Sequence, residues 1–149
     1  MPIGYFDMFA GIGGFRSALE AIGGFECVGY CEIDKYARQA YEAMYNTEGE
    51  LFFEDARKIV PEQLPDIDLI CGGFPCQSFS IAGARKGFDD TRGTLFFEIA
   101  RIAAVKRPEF LLLENVQGLL SARGNYRKFQ KSNRVHESQG EILLNKISP

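Results

Sequence analysis

Residues 3–15 read IGYFDMFAGIGGF, an apolar run that leads directly into a glycine turn. Ile3 to Phe9 has the composition of a buried strand, and after the turn apolar residues recur at helical spacing until Gly23 and Gly24. Short apolar runs and segments of helical period continue to alternate along the chain. This alternation predicts an α/β fold in which a parallel sheet is flanked by helices.

Four further strands and two further helices are predicted from the same periodicities. The strands are Phe25 to Cys31, Leu51 to Phe53, Ile67 to Cys71 and Phe110 to Leu113. Asp34 is expected to cap a helix from Lys35 to about Tyr45. A helix from Thr94 to Lys106 has an apolar stripe formed by Leu95, Ile99, Ile102 and Ala103. The polar loop before it, Phe74 to Gly93, has a length that usually indicates function or disorder.

The bulk composition is that of a soluble globular protein of one domain, with 149 residues, 46% apolar and 25% charged. No apolar run approaches the roughly 20 residues of a membrane helix, and the amino terminus has no signal-peptide pattern. We therefore expect a cytoplasmic protein without a membrane partner. The net charge of −3 is not typical of a nucleic-acid binder, so contact with DNA requires local patches or another segment.

The four cysteines, Cys27, Cys31, Cys71 and Cys76, lack the CxxC spacing of a zinc site, and no metal is expected. Cys27 and Cys31 are expected about 13 Å apart on one face of a strand, too far for a disulfide. Free thiols in a reducing compartment are the simplest interpretation.

A nucleoside cofactor is suggested by the turn and by the acids that follow the next strands. The turn Gly11-x-Gly13-Gly14 lets backbone approach a ligand, although Arg16 occupies the place of the third glycine in a dinucleotide fingerprint. Glu32 follows the second strand, where an acid can accept hydrogen bonds from ribose hydroxyls. Asp55 follows the third strand and could accept from an adenine amino group.

Two reactive groups follow the fourth and fifth strands. Cys76 lies in the polar segment Pro75-Cys76-Gln77-Ser78, at the sheet edge where open α/β folds bind ligands. Glu114 ends the fifth strand, so in a parallel sheet its carboxyl group and the thiol can converge on one pocket. The resulting hypothesis is that the thiol acts as a nucleophile and the carboxyl group as a proton donor on one substrate.

Together these motifs resemble those of the cytosine-5 DNA methyltransferases, from about Phe6 to Val116. The stretches DMFAGIGGF (residues 7–15), GFPCQSFS (residues 73–80) and ENV (residues 114–116) are similar to the family's motifs in order and approximate spacing. The resemblance implies a Rossmann-like S-adenosylmethionine-dependent methyltransferase fold with an incomplete parallel sheet, and double-stranded DNA as the substrate. Residues 1–120 would form the cofactor-binding catalytic subdomain.

The resemblance also implies a role for each site residue. Phe9, Gly11 and Gly13 would contact the methionine part of S-adenosylmethionine, Glu32 its ribose, and Ile33 and Asp55 its adenine. Cys76 would add to carbon 6 of a cytosine flipped out of the duplex, and Glu114 would bind the ring nitrogen 3 and the exocyclic amine. Pro75 would shape the nucleophile loop and the cofactor site, whereas Gln77, Ser78 and Asn115 would contact the substrate.

The chain departs from the family pattern after Val116. Residues 121–149 are expected to form a basic tail outside that pattern, with Arg123, Arg127, Lys128, Lys131 and Arg134 meeting no acidic residue. A phosphate-binding stretch is the alternative for this segment. No target-recognition domain is found, so we expect activity only if a second polypeptide supplies the rest.

Three other interpretations remain open. Relatives that modify transfer RNA share the core motifs, so RNA is an alternative substrate. A noncatalytic remnant would associate through uncovered sheet edges or helix faces. An NAD-binding oxidoreductase is equally favoured by the glycine turn and Glu32, but it does not explain Pro75-Cys76-Gln77.

Overall fold

The computed structural model describes residues 1–74 and 95–114, and for residues 135–138 and 141–144 it describes the backbone alone. Five strands run parallel in one sheet. They are β1 (Ile3–Met8), β2 (Phe25–Cys31), β3 (Leu51–Phe53), β4 (Leu69–Gly73) and β5 (Phe110–Glu114). The predicted parallel sheet is therefore confirmed.

Within the described ranges, three α-helices lie between these strands: α1 (Gly14–Ile22), α2 (Lys35–Met44) and α3 (Leu95–Lys106). The Asp34 carboxylate accepts hydrogen bonds from the backbone N–H groups of Tyr36 and Ala37 at 2.9 and 2.8 Å, as an N-cap does. The predicted cap is confirmed. Two short 3-10 helices, Ala56–Lys58 and Pro61–Gln63, lie between β3 and β4.

The strand order is β3-β2-β1-β4-β5-β7-β6, where β6 is Val135–Ser138 and β7 is Glu141–Leu144. β7 runs antiparallel to both β5 and β6. After β3 the chain returns to the other side of β1 to form β4, so the order of the strands reverses between β1 and β4. Open α/β sheets bind ligands outside the carboxyl ends of the strands at this kind of reversal.

Helices cover both faces of the parallel part of the sheet. Phe6 and Met8 pack in a core cluster that includes Ile99 of α3. Tyr5 points to the opposite face, where it packs with Leu19 of α1. Burial on both faces explains why these strands are nearly continuous apolar runs.

Strand β4 starts at Leu69, two residues later than predicted, and it includes Gly72 and Gly73, which were expected to follow the strand. The ladder with β5 needs only backbone groups and continues through both glycines. A Cβ at Gly72 would approach the Cδ1 atom of Ile99 to 3.1 Å. Glycine here permits the close packing of α3, so a residue that usually interrupts strands extends this one.

A β-bulge between β1 and β2 overturns the expectation that two cysteines share one face. Tyr5 pairs with Cys27, but the next residue of β1 pairs with Gly29, so β2 carries one extra residue. Cys27 consequently packs near Tyr5, whereas Cys31 packs in the cluster on the opposite face. Both thiols are free, as is that of Cys71.

Helix α3 buries three of its four predicted stripe residues, Ile99, Ile102 and Ala103, and also Phe96; Leu95 is only partly buried. Among the described residues, no helix is long and apolar enough to cross a membrane. Strands β6 and β7 lie within residues 121–149, so part of the segment interpreted as a basic tail adds to the sheet. Its separation from the catalytic subdomain stays a prediction.

Candidate functional site

The glycine turn leaves the sheet at the carboxyl end of β1 in a left-handed conformation. Phe9, Gly11 and Gly13 have φ angles of 55°, 58° and 90°. The backbone N–H of Ala10 donates to the carbonyl of Cys31 at 3.0 Å, which holds the turn against the end of β2. Positive φ is readily adopted by glycine but costs a phenylalanine free energy, so Phe9 is held there by its surroundings.

Glu32 joins the turn to the start of α2. One carboxylate oxygen accepts a hydrogen bond from the backbone N–H of Gly11 at 2.7 Å, and the other accepts from the N–H of Asp34 at 2.7 Å. A carboxylate offers about four acceptor positions, so each oxygen keeps about one for a ligand. Glu32 can therefore fix the turn and still bind a pair of hydroxyl groups.

A cavity of about 340 Å³ opens beside these groups. This volume lies near the lower end of the roughly 300–1,000 Å³ range of ligand pockets. The lining residues are Phe9, Cys31, Glu32, Ile33, Glu54, Asp55, Ala56, Arg57, Gly73 and Leu95. Four of the predicted cofactor residues, Phe9, Glu32, Ile33 and Asp55, therefore share one cavity, whose wall combines apolar side chains with acids.

Asp55 is the N-cap residue of the 3-10 helix that follows β3. Its carboxylate accepts from the backbone N–H of Arg57 at 3.0 Å and from the Arg57 guanidinium at 2.9 and 2.8 Å. The hydrogen bonds to Arg57 lower the pKa of Asp55 to about 2. Near neutral pH this carboxylate is therefore ionised, and it can accept hydrogen bonds from a ligand in the cavity.

Glu114 lies at the carboxyl end of β5 and pairs with Gly73 in the ladder. Its Oε2 atom is 3.4 Å from the position that a Cβ of Gly73 would take. Gly73 lines the cavity and Glu114 does not, but the carboxyl group is exposed at the same sheet edge. The structure thus places Glu114 where the chain leaves β4 toward Phe74.

The remaining predicted residues are placed as follows. Gly11 and Gly13 form the turn but do not line the cavity. The hydroxyl group of Tyr45 donates to the carbonyl of Gly13 at 2.9 Å, and a Cβ at Gly13 would collide with the Tyr45 ring. Five predicted residues lie outside the described part of the chain: Pro75, Cys76, Gln77, Ser78 and Asn115.

Arg16 is an anchor of the site that the sequence analysis did not identify. The residue is 4% exposed, and its guanidinium donates to Glu20, Glu50 and the carbonyl of Asn46, each at 2.8 Å. It also lies 4.7 Å from the ring centroid of Tyr45. Arg16 therefore ties the start of α1 to the segment that follows α2. An arginine at the third glycine position was the only sign of this role in the sequence.

Asp7 is a second buried charge that was not identified. It is 0% exposed, and its Oδ2 atom accepts a hydrogen bond of 3.4 Å from the hydroxyl group of Tyr41. Its Oδ1 atom has no hydrogen-bond partner among the residues that the structure describes. Burial raises the pKa of Asp7 to about 7, against the opposing effects of the Tyr41 hydrogen bond and of Arg16. Asp7 lies in β1, two residues before Phe9. The charge of its carboxyl group therefore changes with pH inside the strand that leads into the glycine turn.

Comparison with known proteins identifies one family. The family model for C-5 cytosine-specific DNA methylase matches residues 3–140, a longer interval than the one from Phe6 to Val116 that contains the motifs. The chain is 48% identical over 137 residues to "Orphan methyltransferase M.SPRI" of Bacillus phage SPR, covering 91% of this chain and 30% of that relative. It is 49% identical over 117 residues to "Type II methyltransferase M.HhaI" of Haemophilus parahaemolyticus, covering 78% of this chain and 35% of that relative.

The chain thus spans about a third of the length of these curated relatives. Among solved structures, it resembles the Entamoeba histolytica methyltransferase EhMeth with a TM-score of 0.73 and 16% identity. That alignment covers 100% of this chain and 54% of the other. At this identity the likeness concerns the fold alone, and it agrees with the predicted methyltransferase architecture.

Proposed function

Because this chain belongs to the C-5 cytosine-specific DNA methylases, we propose that it binds S-adenosylmethionine and provides the nucleophile for methyl transfer to carbon 5 of cytosine in double-stranded DNA. The supporting observation is that Phe9, Glu32, Ile33 and Asp55 line one cavity at the carboxyl ends of β1, β2 and β3. They come from three segments of the chain, one after each of these strands, and together they combine two carboxylates with apolar surface.

The cavity has the chemistry that this cofactor requires. Glu32 keeps acceptor positions for the two ribose hydroxyls, and Asp55 is an ionised acceptor for an amine on the purine edge. Ile33 supplies an exposed apolar surface for a base. The methionine part would lie toward Phe9, Gly11 and Gly13, where the left-handed turn allows close approach of backbone.

In the proposed reaction the chain's own residues act on the cytosine. The Cys76 thiolate forms a bond to carbon 6, which makes carbon 5 nucleophilic. Glu114 holds the ring nitrogen 3 and the exocyclic amine, and it stabilises the adduct by supplying a proton to the ring. Bound S-adenosylmethionine supplies the methyl group on its sulfonium. The carbon 5 proton then passes to water, the thiolate leaves carbon 6, and Glu114 takes back the ring proton, which restores the aromatic ring.

The segment around Cys76 would complete the site. Pro75 shapes the loop that carries the thiol, while Gln77, Ser78 and Asn115 contact the flipped base and its strand. Cys76 follows Gly73 by three residues in the sequence, and Gly73 lines the cavity beside Glu114. This proximity along the chain favours a thiol and a carboxyl group acting on one base.

We also propose that turnover requires segments beyond those found in this chain, supplied by a second polypeptide. The matched relatives are about three times longer than the matched interval. Base-specific contacts are made by side chains that reach the groove edges, and a net charge of −3 gives this chain little general attraction for phosphates.

The direct test is complementation. The chain is co-expressed with the remaining segment of the phage relative M.SPRI, and transfer of labelled methyl groups into duplex DNA is measured. Transfer is expected with the wild-type chain and with a Cys27→Ser control, which removes another free thiol, and is lost with Cys76→Ala. Continued transfer by Cys76→Ala would refute the nucleophile assignment.

A further inference from the structure

The Asp55 carboxylate accepts more hydrogen bonds from Arg57 than a surface ion pair with a single contact. Nε of Arg57 donates to both carboxylate oxygens, at 2.9 and 3.2 Å, and Nη2 donates to Oδ2 at 2.8 Å. The backbone N–H of Arg57 adds a fourth contact, to Oδ1 at 3.0 Å. Bidentate hydrogen bonds of this kind fix the plane of a carboxylate as well as its position.

These contacts leave the carboxylate little freedom to accept further hydrogen bonds. Oδ1 accepts from the backbone N–H and from Nε, which uses its two acceptor positions. Oδ2 accepts from Nη2 at 2.8 Å, and it shares the single Nε proton only at the longer distance of 3.2 Å, against 2.9 Å for Oδ1. About one acceptor position therefore remains, on Oδ2. Both residues line the cavity, the Asp55 side chain being 14% exposed and that of Arg57 63% exposed.

We propose that Arg57 is a positioning residue that presents one Oδ2 acceptor of Asp55 to an amino group, so that the cavity selects 6-aminopurine nucleosides over 6-oxopurine nucleosides. This inference rests on the proposed cofactor site and concerns the part of it that recognises the base. A 6-oxo group would direct an oxygen at an ionised carboxylate, and neither atom has a proton to share.

Arginine suits this role better than lysine because its planar guanidinium forms two parallel hydrogen bonds with a carboxylate. The hydrogen bonds from Arg57 also lower the pKa of Asp55 to about 2, so the acceptor is not lost by protonation near neutral pH. The simpler interpretation is that Arg57 only stabilises the 3-10 turn, and this would leave base selectivity unchanged when Arg57 is replaced.

The experiment measures the binding of S-adenosylhomocysteine and S-inosylhomocysteine by the 149-residue chain and by three variants. Arg57→Gln removes the guanidinium, Arg57→Lys keeps the charge without the planar fork, and Lys58→Gln removes a charge from the same turn outside the cavity lining. Carboxyl NMR on labelled aspartate follows the titration of Asp55 in each protein.

The wild type and Lys58→Gln are expected to favour the adenosyl ligand by at least about tenfold, as expected for a hydrogen bond to a charged group. Arg57→Gln is expected to reduce the ratio severalfold and to raise the pKa of Asp55, with Arg57→Lys in between. Unchanged selectivity in Arg57→Gln would overturn the role of Arg57 alone. Failure of the wild type to bind either ligand would overturn the proposed cofactor site and this inference with it.

Discussion

The Glu32 carboxylate accepts a hydrogen bond of 2.7 Å from the backbone N–H of Gly11, 21 residues earlier in the chain. Its other oxygen accepts from the N–H of Asp34 at the same distance. One side chain therefore fixes the glycine turn against the start of the next helix. Because both bonds go to backbone groups, this geometry depends on the acid and not on neighbouring side chains.

The first prediction concerns this contact. Glu32→Gln replaces one acceptor oxygen by an amide group that can only donate, so one backbone N–H loses its partner. We expect the affinity for S-adenosylhomocysteine to fall at least about tenfold and the free energy of unfolding to fall by about 1–3 kcal/mol. Calorimetry and urea unfolding measure the two. The control Glu26→Gln, at the exposed other end of β2, should leave both unchanged, and equal binding by Glu32→Gln and wild type would contradict the account.

The second prediction compares two adjacent glycines. Gly13 has a φ of 90° and faces the Tyr45 ring, whereas a Cβ at Gly14 would meet no atom of the described part of the chain within 4 Å. Gly13→Ala should lower the free energy of unfolding by more than about 1 kcal/mol, because alanine is strained at positive φ. Gly14→Ala, at the first residue of α1, should be neutral or stabilising by a few tenths of a kcal/mol. Thermal unfolding of the two variants measures the difference. A larger loss of stability for Gly14→Ala than for Gly13→Ala would contradict the described conformation of the turn.

Most strands and helices could be predicted from the sequence, because they are determined by patterns of neighbouring residues. The boundaries of β2 and β3 and the cap at Asp34 match the prediction, since apolar runs and capping residues act over a few positions. The cavity residues Glu32 and Asp55 were found because acids at strand ends converge in any parallel sheet.

The features that sequence reasoning missed depend on contacts between distant segments. The bulge in β2 places Cys27 and Cys31 on opposite faces of the sheet, and no local pattern marks the extra residue. The contact between Arg16 and Glu50 joins residues far apart in the sequence, so the burial of Arg16 could not be read from helical periodicity. The predictions for Cys76 stay untested by the described residues.

The third prediction follows from the burial of Asp7. Its pKa of about 7 in the folded chain lies above the value of about 3.9 expected when unfolded. The folded state therefore binds more protons than the unfolded state between these values, and stability decreases as the pH rises from about 4 to about 7. The groups that act on this carboxyl from the surrounding elements include Tyr41, Arg16, Glu32 and Glu50.

Asp7→Asn should remove this contribution. Urea unfolding at pH 5 and pH 8 is expected to show a loss of stability with rising pH that is larger in wild type than in the variant. The difference can amount to as much as about 1.4 kcal/mol for each pH unit between the two pKa values. An identical pH dependence in the two proteins would show that Asp7 does not titrate in this range.

The fourth prediction tests the anchor at Arg16. Arg16→Ala leaves the largely buried carboxylate of Glu50 without its partner, at a side-chain exposure of 9%. Breaking a buried pair in this way costs about 3–5 kcal/mol. The matched control is Arg38→Ala, because Arg38 is 29% exposed and its nearest carboxylate oxygen, on Glu42, is 3.6 Å away. A smaller loss for Arg16→Ala than for Arg38→Ala, measured by urea unfolding, would contradict the anchoring role.

The central claim is that the cavity beside Glu32 holds the cofactor, and an NMR titration of the ¹⁵N-labelled chain with S-adenosylhomocysteine tests it most directly. We predict saturable chemical-shift changes at the backbone amides of Gly11, Ile33 and Asp55. Little change is expected at Glu26, which lies near the amino end of β2, on the opposite edge of the sheet from the cavity. Shifts confined to that opposite edge, or no shifts at millimolar ligand, would contradict the claim.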